Sequence, residues 1–201
     1  PCRARKSETV VPFLLNETLT PLDKWPDLLK ARFGEAAVET PLHMLDACPV
    51  HAETPLLQLD GLAGALGVKR IWWKDERTRM RLHSFKALGG AYAVARQLEA
   101  RMTRALKSAP APEALIGGAA TAIAQDMTVT CATDGNHGLS VAAGANVFKM
   151  KCVIFVHARV PQWRIRRIEA KGAEVRVVDG VFDDAVAEAE RMARDEGWIL
   201  V

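Results

Sequence analysis

The chain has 201 residues, enough for one or two domains with a real hydrophobic core. Hydrophobic residues make up 49% and charged residues 25%, the ordinary composition of a soluble globular protein. The 27 basic and 24 acidic residues leave +3, too small an excess to argue for nucleic acid or an anionic membrane, although a modestly basic pocket stays open.

The start, Pro1 to Lys6, is basic, but no apolar stretch with a small-residue cleavage site follows it, so it does not read as a secretory signal. No apolar run reaches a membrane-spanning length, and the expected setting is cytoplasmic. Cys2, Cys48, Cys131 and Cys152 form no C-x-x-C pair, which argues against zinc and against a disulfide framework. His43, Cys48 and His51 could be read as metal ligands, but they sit in a Pro-rich stretch and are expected to be an exposed connector; no metal is expected.

Seven of the ten prolines fall in residues 1 to 57, so regular structure should be short there. Leu56 to Leu66 predicts a short helix that stops at Gly67, and Ile71-Trp72-Trp73 a strand. Phe85, Leu88, Tyr92, Ala95 and Leu98 recur at helical spacing, predicting a long helix from about Ser84 to Lys107 with Ser84 as its N-cap. Ser108 to Gln125, with two prolines and Gly117-Gly118, reads as a loop with a short Ala-rich turn and a glycine hinge.

From there the chain alternates. Met127 to Ala132, Lys151 to His157, Glu174 to Val178 and the segment opening at Trp198 read as strands. Asn136 to Val147, Pro161 to Lys171 and Asp183 to Asp195 read as helices, with Pro161 in a first turn. Such alternation with short connections specifies a parallel α/β sheet, and parallel sheets bind ligands at the carboxyl ends of their strands. A natural domain rarely ends inside an apolar strand such as Trp198 to Val201, and there is no initiator Met, so a fragment is expected.

Two segments carry chemistry. Ser84-Phe85-Lys86-Ala87-Leu88-Gly89-Gly90 sets a lysine in the first turn of a helix, where the dipole favours the neutral amine that imine formation needs. Two glycines, each costing about 1 kcal/mol relative to Ala in a helix, suggest a close approach to the backbone. On position alone, a surface lysine with its stem along the protein is the commoner explanation. Thr133-Asp134-Gly135-Asn136-His137-Gly138 joins a strand to a helix whose first amides face the loop, an anion site suited to a carboxylate. A plain turn capped by Asp134 or Asn136 explains it equally well. The basic set Arg164, Arg166, Arg167 and Lys171 reads as a solvated helix face. His137 reads as a packed spacer more readily than as a proton shuttle. No nucleotide-binding glycine motif is present.

Together the two segments resemble the signature of the fold-type II pyridoxal-phosphate (PLP) enzymes, the tryptophan synthase beta-like group. Lys74-Asp75-Glu76, Phe85-Lys86-x-Leu88-Gly89-Gly90 and Ala132 to Gly138 are similar to the diaminopropionate ammonia-lyase family, from Glu53 to the end of the chain. The resemblance implies three-layer domains around parallel sheets, with the C-terminal part of the large domain missing. Residues 1–90 would belong to the large PLP domain and 91–201 to a small α/β domain. It implies PLP as cofactor, bound by Lys86 as a Schiff base and by Phe85 and Asn136. The substrate would meet Thr133, Asp134, Gly135, His137 and Gly138, with Lys86 and Asp134 as catalytic groups. Ammonia would be eliminated from 2,3-diaminopropionate to leave pyruvate.

A small amino-acid substrate, a homodimer in the full-length form, and no nucleic-acid or membrane partner go with it. A serine/threonine dehydratase-like lyase is the alternative enzyme; that group usually has Ser where Asp134 stands. A truncated remnant that binds no PLP is the non-enzymatic alternative. Two departures concern substrate positioning: Met80-Arg81-Leu82 and Ser84 stand where the family has Phe-Gly-Leu and Ala, and Leu139 where it often has Arg. The family's glycine-rich phosphate loop, its partner for the pyridine nitrogen and a second catalytic Asp are expected beyond residue 201.

Overall fold

The structure is a computed structural model and describes residues 21–201. The chain divides between Glu39 and Thr40 into two compact units. In the first, the described residues hold a 3-10 turn, Leu22–Lys24, and helix α1 (Asp27–Phe33). Helix α2 (Ala36–Asp46) begins there and continues into the second unit with Pro41 inside it. The Pro-rich segment is thus more helical than its composition suggests, while its first twenty residues lie outside the described ones.

The second unit opens with strands β1 (Leu56–Gln58) and β2 (Trp72–Lys74), paired antiparallel around helix α3 (Asp60–Leu66). The single helix expected over Leu56–Leu66 is therefore a strand followed by a helix. Gly67 ends α3 in the left-handed conformation (φ 67°), as expected of a glycine stop. Helix α4 (Lys86–Leu106) follows, then a 3-10 turn (Pro112–Leu115) and helix α5 (Gly118–Ala124). Gly117 and Gly118, expected to be a loop hinge, open α5 instead, because their positive φ values turn the chain into the helix.

The predicted alternation is observed: β3 (Thr128–Ala132), α6 (Asn136–Phe148), β4 (Lys151–His157), α7 (Gln162–Glu169), β5 (Glu174–Val178), α8 (Phe182–Glu196) and β6 (Ile199–Leu200). The strands order as β5-β4-β3-β6 and every pairing is parallel. Alternate residues of β4 serve opposite faces, the period of a strand. Val153 and Phe155 pack with Ala185 and Ala189 of α8, while Ile154 and Val156 join the larger core that includes Val141, Ile165 and Leu98. The sheet is thereby covered on both faces, as parallel sheets require. No helix among the described residues is long and apolar enough to cross a membrane.

Helix α4 lies along α6. Gly90 makes the approach possible, since a Cβ there would lie 2.6 Å from Ser140 Oγ. On the other side, a Cβ on Gly144 would come within 3.0 Å of Ala91 Cα. This packing sets the N-terminus of α4 beside the N-terminus of α6. The close approach expected from the glycine pair is that of α6, and it concerns Gly90; Gly89 faces open space.

Candidate active site

Lys86 is the first residue of α4 and its side chain is exposed to the cavity described below. Phe85 occupies the N-cap position, and the buried Ser84 accepts the Lys86 amide at 3.3 Å. Ser84 therefore serves the helix start without being its cap residue.

The segment leading to Lys86 is held by charge. Arg79 is buried and donates to both oxygens of Glu76 at 2.7 and 2.9 Å, to Thr54 Oγ1 at 2.8 Å and to the Ala52 carbonyl at 2.9 Å. Thr54 in turn donates to Glu76 Oε1, and Lys74 Nζ donates to the Thr54 carbonyl. Hydrogen bonds from Arg79, joined by one from Thr54, hold the Glu76 carboxyl down at about 2, well below its ordinary range. Asp75 is lowered too, chiefly by the Arg77 guanidinium. Lys74-Asp75-Glu76 thus acts as an anchor: it fixes the chain ten residues before the lysine. Between anchor and lysine, Met80 (φ 47°), Arg81 (φ 56°) and His83 (φ 64°) all adopt left-handed backbone, strained for residues with a Cβ.

The second segment turns on Thr133. Its hydroxyl accepts the amides of Gly135 at 2.9 Å and Gly138 at 3.0 Å. Thr133, not Asp134 or Asn136, is thus the side chain that caps α6. A Cβ on Gly138 would sit 2.5 Å from Thr133 Cγ2, so only glycine closes this turn. Helix geometry leaves the Asn136 and His137 amides without an intrahelical acceptor, and they lie at the positive end of the α6 dipole.

Asp134 projects from the loop with its side chain 63% exposed, and His157 Nε2 lies 3.0 Å from its Oδ1. The Arg159 amide donates to His157 Nδ1 at 3.2 Å. That contact assigns the ring proton to Nε2 in the neutral form, so the imidazole donates to Asp134. Arg164 of α7 donates to the Asp134 backbone carbonyl at 2.9 Å, and its stem crosses Gly135.

These parts share one cavity of about 500 Å³, a size suited to a cofactor with its substrate. Lys86 lines it with Thr133, Asp134, Gly135, Asn136 and His137; Arg164, Arg167 and His83 add positive or titratable groups, and Trp163 and Phe182 add aromatic faces. Six of the expected site residues therefore meet. Phe85, 64% exposed, does not line the cavity, and Gly138 is buried beneath the loop. His137 lines it and also has Nε2 3.3 Å from the Val201 carbonyl.

The reading of α7 as a solvated basic face is corrected for two residues. Arg164 and Arg167 face the cavity because α7 packs against α6 beside the loop. His157 was not anticipated at all; its only signal in the sequence was its place at the carboxyl end of a strand. His43, Cys48 and His51 form no metal cluster, nor does any other group of three His, Cys, Asp or Glu among the described residues.

The family model described as "Pyridoxal-phosphate dependent enzyme" matches residues 48–201. The chain belongs to that family. It is 37% identical over 153 residues to diaminopropionate ammonia-lyase of Salmonella typhimurium, across 76% of this chain and 38% of the relative. It is 38% identical over 148 residues to the Escherichia coli diaminopropionate ammonia-lyase, across 74% of this chain and 36% of that one. The crystal structure of the E. coli enzyme in complex with an aminoacrylate-PLP azomethine reaction intermediate superposes with a TM-score of 0.71 at 33% identity, over 83% of this chain and 40% of that one. The chain thus spans less than half the length of these relatives. Its parallel α/β architecture is that of the fold-type II group.

The cofactor of the pyridoxal-phosphate dependent family fits the donor set of the cavity. Lys86 offers a primary amine for an aldehyde, and Asn136 an amide for a phenolic oxygen. The first turn of α6 and the guanidiniums of α7 suit the anionic groups of cofactor and substrate.

Proposed function

We propose that this chain provides the lysine and the substrate-carboxylate half of a PLP-dependent ammonia-lyase acting on 2,3-diaminopropionate. The observation that carries this reading is the meeting of Lys86, Asp134 and the α6 N-terminus in one cavity. Residues 1–90 contribute the lysine and residues 91–201 the loop. A cytoplasmic, homodimeric full-length enzyme accompanies the reading.

When bound, the cofactor supplies an electron sink that makes the substrate α-proton removable. Lys86 would hold the cofactor through its amine, and the same amine, placed in the cavity beside the α6 N-terminus, would take up that proton. Asn136 would hold the cofactor's 3-hydroxyl, and the open amides of Asn136 and His137 would orient the substrate carboxylate. Asp134 pairs with the β-ammonium, which a Ser in its place would serve less well, and the His157 proton keeps the carboxylate aimed. The Cα–H and Cβ–N bonds break, one ammonia leaves, and hydrolysis of the remaining enamine consumes one water to give pyruvate and a second ammonia.

The test is pyruvate release by the full-length protein that contains this chain, with borohydride trapping of PLP. Turnover of 2,3-diaminopropionate that is lost in Lys86→Ala, together with the trapped label on Lys86, is the expected result. Faster turnover of serine or threonine would favour a dehydratase. Absence of label on any lysine would reduce the chain to a non-catalytic remnant.

A further inference from the structure

Arg164 and Arg167 stand one turn apart on α7 and both face the cavity that holds Lys86. Among the described residues neither guanidinium meets a carboxylate. Arg77, Arg79, Arg96, Arg176, Arg191 and Arg194 each do, while among the described residues Arg166 on the same helix is also unpaired but lies outside the cavity, so it is the place of Arg164 and Arg167 in the cavity wall that sets them apart. Arg164 spends one N–H on the Asp134 carbonyl and rests on the Trp163 ring at 5.2 Å. Arg167 makes one long contact of 3.4 Å to the Leu82 carbonyl. Each guanidinium has five donors in a planar fork, so most of both forks stays open toward the cavity.

Among the described residues the only carboxylate lining the cavity is Asp134, and His157 already holds it. The concavity therefore carries uncompensated positive charge on two planar forks, in addition to the amides at the start of α6. Planar forks favour oxyanions over other anions, because they bind two oxygens at once. The α6 amides suffice for one carboxylate, so α7 is available for another group.

We propose that Arg164 and Arg167 form an oxyanion subsite on α7, taking a phosphate or carboxylate group in addition to the anion held by the first turn of α6. The proposal rests on the PLP reading of the cavity and names a role within it. Two sources share the chemistry: the phosphate of the cofactor and an acidic group of the substrate.

The experiment measures binding to the full-length protein by quenching of tryptophan fluorescence, to which Trp163 in the cavity wall contributes. The probes are PLP, pyridoxal, inorganic phosphate and succinate. Arg167→Gln should weaken inorganic phosphate by about tenfold, the effect of one lost charge-assisted contact. Arg167→Lys should fall between, and Arg166→Gln, exposed and outside the cavity, should match the parent. If Arg167→Gln also weakens PLP while sparing pyridoxal, the occupant is the cofactor phosphate. If PLP is unaffected and succinate weakens, the occupant is a substrate acid.

Equal binding of PLP, phosphate and succinate by Arg167→Gln and the parent overturns the subsite. Failure of the parent to bind PLP or pyridoxal at all would instead sink the cofactor reading. The inorganic phosphate comparison would still decide the subsite.

Discussion

Gly90 and Ser140 are in such close register that a single added methyl on Gly90 would fall within 2.6 Å of the Ser140 hydroxyl. That hydroxyl is fully buried; it accepts the Ala91 amide at 3.0 Å and donates to the Ala87 carbonyl at 3.1 Å. It thus bridges the pair that closes the α4 turn just after Lys86. Gly90→Ala should destabilise the fold by about 1–3 kcal/mol through overpacking, despite the better helix propensity of Ala. Gly89→Ala, facing open space, should stabilise it by about 0.5–1 kcal/mol. Urea unfolding of the two variants checks this; equal shifts would refute the close approach as the reason for the second glycine.

Arg81 is a non-glycine residue at φ 56°, where the resembling family has Gly. A left-handed L-residue costs roughly 1–2 kcal/mol, partly offset by the greater chain entropy that Gly loses on folding. Arg81→Gly should therefore raise stability by about 0.5–1 kcal/mol, and Arg81→Val should lower it. A thermal melt in which Arg81→Gly is the less stable protein would show that the Arg81 side chain outweighs its backbone strain.

Glu76 is held to about 2 by Arg79 and Thr54 when folded. Its folded value lies below its unfolded one, so its contribution is complete above the ordinary glutamate range. It is lost as pH falls through about 2. Acid should thus weaken the Arg79–Glu76 pair while leaving the Arg79 bonds to Ala52 and Thr54 in place. Glu76→Gln should remove the Glu76 part of the stability loss between about pH 5 and 2. At neutral pH it should cost about 3 kcal/mol, because Arg79 is left without its partner. Circular dichroism melts across that pH range give the comparison.

Asn136→Ala should weaken PLP retention by about tenfold or more, since a hydrogen bond to a charged group contributes roughly 1.5–3 kcal/mol. Equilibrium dialysis of the full-length protein reads this directly. Retention equal to the parent would remove Asn136 from the proposed cofactor contacts.

Cys131 and Cys152 lie on neighbouring strands, β3 and β4. Burial pushes the Cys152 thiol up to about 12 and that of Cys131 higher still, with the neighbouring Cys152 adding to the shift. Both should resist iodoacetamide at pH 8 until denaturant is added, because the thiolate is the reactive form. Of the three cysteines among the described residues, half-buried Cys48 should react first. Peptide mapping by mass spectrometry follows the order of labelling.

The strands from Thr128 onward, the helices between them and the face of α4 were legible in the sequence because their signals are local: period two or 3.6, with glycine or proline at the ends. The pairing of Lys86 with the Thr133–Gly138 loop was legible as a motif, since each half keeps its residue types at fixed short spacing. Strand β1 was not. Leu56 and Leu57 sit on exposed faces, and what makes them a strand is antiparallel pairing with Trp72–Lys74, far along the chain. Nor could the sequence bring His157 to Asp134 or turn Arg164 and Arg167 inward. Those placements follow from the parallel register that sets Ala132 beside Phe155, so that both strands release their next residues at one edge of the sheet. Side-chain period is written along the chain, but which strand ends meet is decided by the crossovers that pack helices on both faces, and only the folded sheet supplies those.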